Sequence, residues 1–160
     1  MRKYTKDEID GTRNYFKRQG FQEVQASIGN LNFSYFVLPQ TLEPRIRDFV
    51  FRCTGDSSDN YVFGISDSVG EEHRPYAVIH EFIEFIKIGI ETPNRCVSAL
   101  DEELSLVPES IKPEHIRMRR DFFKNLIPYV SSQPENYTPK DINEFKQSLA
   151  RLEEIVNSSQ

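Results

Sequence analysis

The chain lacks tryptophan and has only two cysteines, Cys53 and Cys96. Two thiols cannot build the disulfide framework of a small secreted domain. No stretch approaches the roughly 20 apolar residues that a membrane-spanning helix requires. The opening residues Met1-Arg2-Lys3-Tyr4-Thr5-Lys6-Asp7 are charged and contain no apolar core of a signal peptide. The expectation is a soluble cytoplasmic protein with reduced thiols and no membrane partner. Basic charge is also in short supply, with 20 Lys and Arg against 25 Asp and Glu and a net charge of −5. That balance argues against a nucleic-acid footprint. The one basic cluster, Arg117-Met118-Arg119-Arg120, spreads its arginines around a helix and reads as ordinary surface. Internal repeats and low-complexity segments are absent.

Apolar and aromatic residues are plentiful: 12 Phe, 7 Tyr and 38% hydrophobic content over 160 residues, enough for one domain with a real core. The expected arrangement is a single domain over 1–160, with a helix and sheet in 1–70 and a helical part in 71–160. Thr5 and Glu8 form a capping box for a first helix that stops at Gly20. Residues 21–26 and the alternating Leu31-Asn32-Phe33-Ser34-Tyr35-Phe36-Val37-Leu38 predict a hairpin turning at Gly29-Asn30, with Pro39 ending its second strand. Arg45–Cys53 fits a third strand or a short helix. A polar loop over 55–60 follows, then a strand at Tyr61–Ser66. Beyond residue 72 the pattern is helical: a helix from Pro75 to about Gly89, one from Pro93 or Asn94 to Val107, and one from Pro113 to Ile127 ended by Pro128. The last starts at Thr138-Pro139. Strands first and helices after, with one helix ahead of both, define an α+β chain with a small, mostly antiparallel sheet.

The chemistry concentrates in His80-Glu81-Phe82-Ile83-Glu84. On a helical wheel Val78, Ile79, Phe82, Phe85 and Ile86 form an apolar face, while Tyr76, His80, Glu84 and Lys87 share a polar stripe with Glu81 at its edge. His80 and Glu84 are one turn apart and can hold one metal ion, with Glu81 placed to activate a water. A carboxylate on an apolar helix face is costly unless paired or metal-bound. Glu103 is such a residue, on the following helix beside Cys96, Ala99, Leu100, Leu104 and Val107. It is the third candidate ligand, with His73 as another.

This segment resembles the active-site helix of the zincin-type metallopeptidases, whose motif is His-Glu-x-x-His; Glu84 stands where their second histidine would be. The likeness covers about residues 61–103 and includes a strand, Tyr61–Ser66, ahead of the motif helix. In that family a sheet edge strand aligns the peptide above the helix. The resemblance implies a zincin-like, zinc- or other divalent-transition-metal-dependent hydrolase acting on a peptide. It carries His80 to a metal ligand and Glu81 to the general base, with a carboxylate on a later helix as third ligand. Tyr76 or Tyr61 would serve as oxyanion donor.

Two other readings stand beside this one. The stripe can be the wet face of an amphipathic helix, with Glu84 paired to Lys87 and Glu103 held by an arginine, a tyrosine or backbone amides. The chain would then be a non-catalytic module that docks a protein partner. Cys96, near a helix start, suggests a thiol hydrolase if His80 reaches it, but its pattern fits a small buried hydrophobe better. Gly64-Ile65-Ser66-Asp67-Ser68 lacks the second glycine of a nucleophile elbow. His115 reads as a surface or boundary residue.

Overall fold

The computed structural model describes residues 2–40, 49–55 and 60–159. Thr5 opens α1 (Lys6–Arg18) with the expected capping box: its hydroxyl accepts from the Glu8 amide while the Glu8 carboxylate accepts from Thr5 N–H. Strands β1 (Glu23–Ile28) and β2 (Leu31–Leu38) form the hairpin, with Gly29 at a positive φ of 59° in its turn. Of the segment that fitted either strand or helix, residues 49–53 are strand β3 (Phe49–Cys53); 45–48 lie outside the described residues, as does most of the polar loop. Strand β4 is Tyr61–Ser66.

The sheet order is β1-β2-β4-β3. The outer pairs β1/β2 and β3/β4 are antiparallel, and β2 and β4 run parallel at the centre. The alternation of the strands sends their side chains to two layers. Phe36, Leu38, Val50 and Val62 pack with Ile9 and Phe16 of α1 on one face. Phe33, Tyr35, Phe49, Phe63 and Ile65 pack with Ala77, Val78 and Ile79 on the other. Gly64 lets Leu38 of the neighbouring strand pack closely against β4, because a Cβ there would lie 2.5 Å from Leu38 Cδ1 and force that side chain to shift.

The helical half follows. Helix α2 (Arg74–Phe82) begins with Pro75 in its first turn and continues without a break into a π-helical segment, Ile83–Gly89, ended by Gly89 at a φ of 100°. The wheel used for the sequence therefore holds only to Phe82; beyond it the wider π turn resets which residues share a face. Helix α3 spans Arg95–Leu106 and α5 spans Pro139–Ser158 behind the Thr138–Asp141 capping box. Helix α4 (Lys112–Ser131) differs from expectation, since it runs through Pro128. The interruption falls in the last turn and on the exposed flank of Lys124 and Pro128, where water can satisfy the carbonyl that loses its donor. Cys96, Leu100, Phe123, Val130, Phe145 and Leu152 tie α3, α4 and α5 together. This helical core and the sheet core meet at α2, and the polar residues of α2 lie in the seam. The chain is α+β, a mostly antiparallel sheet with an N-terminal helix and a helical C-terminal half. Among the described residues no helix is long and apolar enough to cross a membrane.

Candidate functional site

The stripe on α2 is not wet. His80 is 1% exposed, and Glu81 and Glu84 are buried with it. Lys87 turns away and pairs with Glu102 instead of Glu84. What covers the stripe is α3 with α4 and α5; α3 and α4 bring the cations that buried carboxylates demand, Arg95 from α3 and His115 and Arg119 from α4, while α5 brings two carboxylates that pair with Arg95.

His80 uses its two ring nitrogens on different neighbours. Nδ1 lies 2.9 Å from Glu103 Oε2. Nε2 lies 3.2 Å from Glu84 Oε2 and 3.6 Å from Cys96 Sγ. Glu84 and Glu103 thus stand on opposite sides of the imidazole, and an ion on one nitrogen cannot take both as ligands. The set that converges on one point is His80, Glu84 and Cys96, whose donor atoms all lie within 4.8 Å of one another. Glu103 takes the place behind the ring, where a carboxylate fixes tautomer and orientation.

Glu103 is the hub of the buried network. Besides His80 it meets His115 Nε2 at 2.7 Å and Arg119 Nε at 3.0 Å, all through its two oxygens. His115 and Arg119 sit four residues apart on α4, so one helix face delivers both. Both correct the reading from sequence: His115 is not a boundary residue and Arg119 is not surface, because each is fully buried. The carboxylate of Glu103 and the face of Phe122, 5.0 Å from the guanidinium, are what make the burial of Arg119 tolerable. Arg119 Nη1 and Nη2 form no hydrogen bond among the described residues. On the far side of the site Arg95 lies 3.2 Å from Glu84 Oε1 and donates to Glu144 at 2.7 Å and Asp141 at 3.0 Å. Glu144 also caps the start of α3 by accepting from the Cys96 amide at 3.2 Å, and the Ser148 hydroxyl donates to Cys96 Sγ at 3.1 Å.

These contacts set the protonation states. Burial disfavours the His80 imidazolium, but hydrogen bonds to Cys96, Glu103 and Glu84 more than offset it and hold the His80 pKa well above its ordinary value. Burial and the charge of Glu84 push the Cys96 thiol up to about 11, against the pull of His80. Glu103 falls to about 2, because Arg119, His115 and His80 outweigh its burial. Glu81 rises to about 8 through burial, with the repulsion of Glu84 and Glu103 opposing the attraction of His80 and Arg119.

A cavity of about 10 Å³, close to the room one water needs, borders His80, Glu81, Glu84 and Cys96. Phe51, Phe122 and Leu126 close it on the side of a surface cleft of about 200 Å³, whose walls include Tyr4, Tyr129 and Tyr137. The remaining sequence candidates lie elsewhere: His73 Nδ1 is 3.1 Å from His115 Nδ1, on the far side of Glu103 from His80. Tyr76 is edge-on to His115 at 6.2 Å, and the Tyr61 hydroxyl accepts from the Ser34 amide at 3.1 Å within the sheet. β4, the strand ahead of the motif helix, is flanked on both sides and offers no free edge. Ser66 is buried and bonds to Ser68 at the strand end.

The sequence pointed to His80, Glu81, Glu84 and Glu103, and the fold gathers those four. It weighed Cys96 with His80 but favoured a buried hydrophobe, set His115 and Arg119 at the boundary and the surface, and did not single out Arg95. The signal for two of them, His115 and Arg119, was the apolar face of α3: a glutamate buried there needs cations, and this pair offers two at helical spacing. No protein-family model, curated protein or solved structure matches the chain.

Proposed function

We propose that this is a metalloprotein that holds a zinc-class ion between His80 Nε2, Glu84 and Cys96. The observation that carries the reading is metrical. Zinc bonds of about 2.0–2.2 Å to nitrogen and oxygen and about 2.3 Å to sulfur, set at the tetrahedral angle, separate N from O by about 3.4 Å and N from S by about 3.6 Å. The corresponding gaps here are 3.2 and 3.6 Å. The donor types suit zinc, and Glu103 behind His80 supplies the outer-shell carboxylate that such histidines usually have. Arg95 occupies Glu84 Oε1 and leaves Oε2 for the ion.

A second reading, a metal-dependent peptide hydrolase, has its own support. Zinc with three protein ligands polarises a water or a carbonyl oxygen in its fourth position. The small cavity beside the donors fits one water, and Glu81 borders it as the group that would take a proton. Burial keeps Glu81 protonated at neutral pH, so this role needs the positive charge of an ion nearby. Substrate would approach from the aromatic cleft and must displace Phe122 or Leu126. The non-catalytic protein-binding module remains the alternative. Burial of the stripe means that loss of stability on mutating it no longer separates that alternative from a metal site.

Cobalt does separate them. The untagged, chelator-treated chain is titrated with cobalt(II), beside Cys96→Ser. A near-ultraviolet thiolate-to-cobalt band in the parent protein, absent from the variant, supports the site. No such band in the parent protein sinks it, and with it the hydrolase reading.

A further inference from the structure

All three histidines of the chain belong to one hydrogen-bonded line, and its outer member, His73, is buried beneath a surface cleft. His73, at the head of α2, is buried to 3% exposure. Its Nδ1 lies 3.1 Å from His115 Nδ1, and His115 passes the line to Glu103 and His80. Its other nitrogen, Nε2, is buried and has no hydrogen-bond partner among the described residues. That orphaned atom faces two carboxylates, Glu72 Oε1 at 3.6 Å and Glu114 Oε2 at 3.8 Å. Both gaps are too long for a hydrogen bond and a few tenths of an ångström longer than the edges of a zinc tetrahedron. Glu72 and Glu114 have exposed side chains that can move inward by that amount. A cleft of about 470 Å³ borders all three residues and gives an ion access from solvent; Asp121 adds negative charge to it and Arg117 a positive one.

We propose that Glu72, His73 and Glu114 form a second, solvent-reachable binding site for a divalent transition-metal ion, one imidazole and two carboxylates with water completing the shell. An ion on His73 Nε2 determines the protons inward from it. His73 Nδ1 must then carry hydrogen and donate to His115 Nδ1, and His115 Nε2–H donates to Glu103 Oε1. The outer ion would in this way hold Glu103 as an acceptor toward His80. The inference does not rest on the buried site, because its three residues share no atom with it.

The test is calorimetric titration of the untagged, chelator-treated chain with zinc chloride, beside the double variant Glu72→Gln/Glu114→Gln and beside Cys96→Ser. Both glutamates are at the surface, so the double variant keeps the fold. The expected result is a binding event that survives in Cys96→Ser and weakens at least about tenfold in the double variant, since loss of even an outer-shell partner of a ligand typically costs about 10–100-fold in metal affinity. If only the buried site binds zinc, the double variant retains the parent isotherm and the proposal is overturned. If only the outer site binds, Cys96→Ser matches the parent and the buried reading fails alone. Absence of binding, or weak binding that the double variant leaves unchanged, overturns the outer site.

Discussion

His80 Nδ1 on α2 and Glu103 Oε2 on α3 meet at 2.9 Å, and this contact decides which side of the imidazole is left for other chemistry. It also joins the two helices through a fully buried charge. Removing one partner of such a pair strands the other. Glu103→Leu leaves the Arg119 charge without its counter-ion and His115 and His80 without their acceptor, and is expected to lower stability by about 3–5 kcal/mol. Glu103→Leu with Arg119→Met removes charge from both sides and should cost less than the sum of the single changes. Urea denaturation of the four proteins measures the coupling. Strict additivity would mean that Arg119 and Glu103 are neighbours without energetic connection.

The same pair of helices makes stability depend on pH in two windows. Glu103 has its folded pKa depressed to about 2, below the roughly 4.3 of an unfolded glutamate. Its contribution is complete above about pH 4.3 and disappears as the pH falls toward 2. Glu81 is opposite in sign, because its folded pKa is raised to about 8. Between about pH 4.3 and 8 the folded chain holds a proton that the unfolded chain has released, so stability declines as the pH rises. His80, raised as well, declines in the same direction above its unfolded pKa. Glu81→Gln should therefore flatten part of the fall between pH 5.5 and 8.5 in denaturation curves. An unchanged slope would show that Glu81 titrates normally.

Most of the architecture was legible because it depends on local rules. Thr5 and Thr138 announce helices through their own caps, Gly29 turns the hairpin, and the alternation of Leu31–Leu38 specifies a strand with two different faces. The site was legible only in part, for a reason that lies in packing. A polar stripe on one helix looks identical in sequence whether water or three other helices cover it. Burial of Glu103 on α3 was readable as an unusual carboxylate, but its answer, His115 and Arg119, comes from α4 and is a tertiary choice. Glu84 was grouped with His80 by helical spacing and Glu103 by its place on an apolar helix face, and neither criterion says which ring nitrogen each would meet. The π turn after Phe82 is likewise invisible to a wheel with a fixed angle.

Gly64 tests how closely the two central strands are fitted. A methyl group there would press on Leu38 Cδ1 at 2.5 Å, in a layer already filled by Ile9 and Phe16. Gly64→Ala is expected to destabilise by about 1–3 kcal/mol, the usual range for overpacking. Adding Leu38→Val should recover part of the loss by retracting the opposing methyl. If Gly64→Ala alone melts with the parent protein, the β2–β4 contact has room that the present register does not show.

Zinc affinity should rise with pH, and the size of the rise reports which residues bind. Cys96 is protonated at neutral pH because burial and Glu84 push its thiol up to about 11. His80 is also protonated, held so by Cys96, Glu103 and Glu84 against burial. An ion at Cys96 Sγ and His80 Nε2 must displace one proton from each. Binding that releases two protons strengthens by about two powers of ten for each pH unit, as long as both groups begin protonated. Competition against a chromophoric chelator between pH 6 and 7.5 measures the slope. Cys96→Ser removes the thiol proton from the balance and should reduce the slope by about one unit, while Glu72→Gln/Glu114→Gln should leave the buried site's slope unchanged. A slope near zero in the parent protein would mean that the ion is held by groups already ionised, and Cys96 and His80 would not be its ligands.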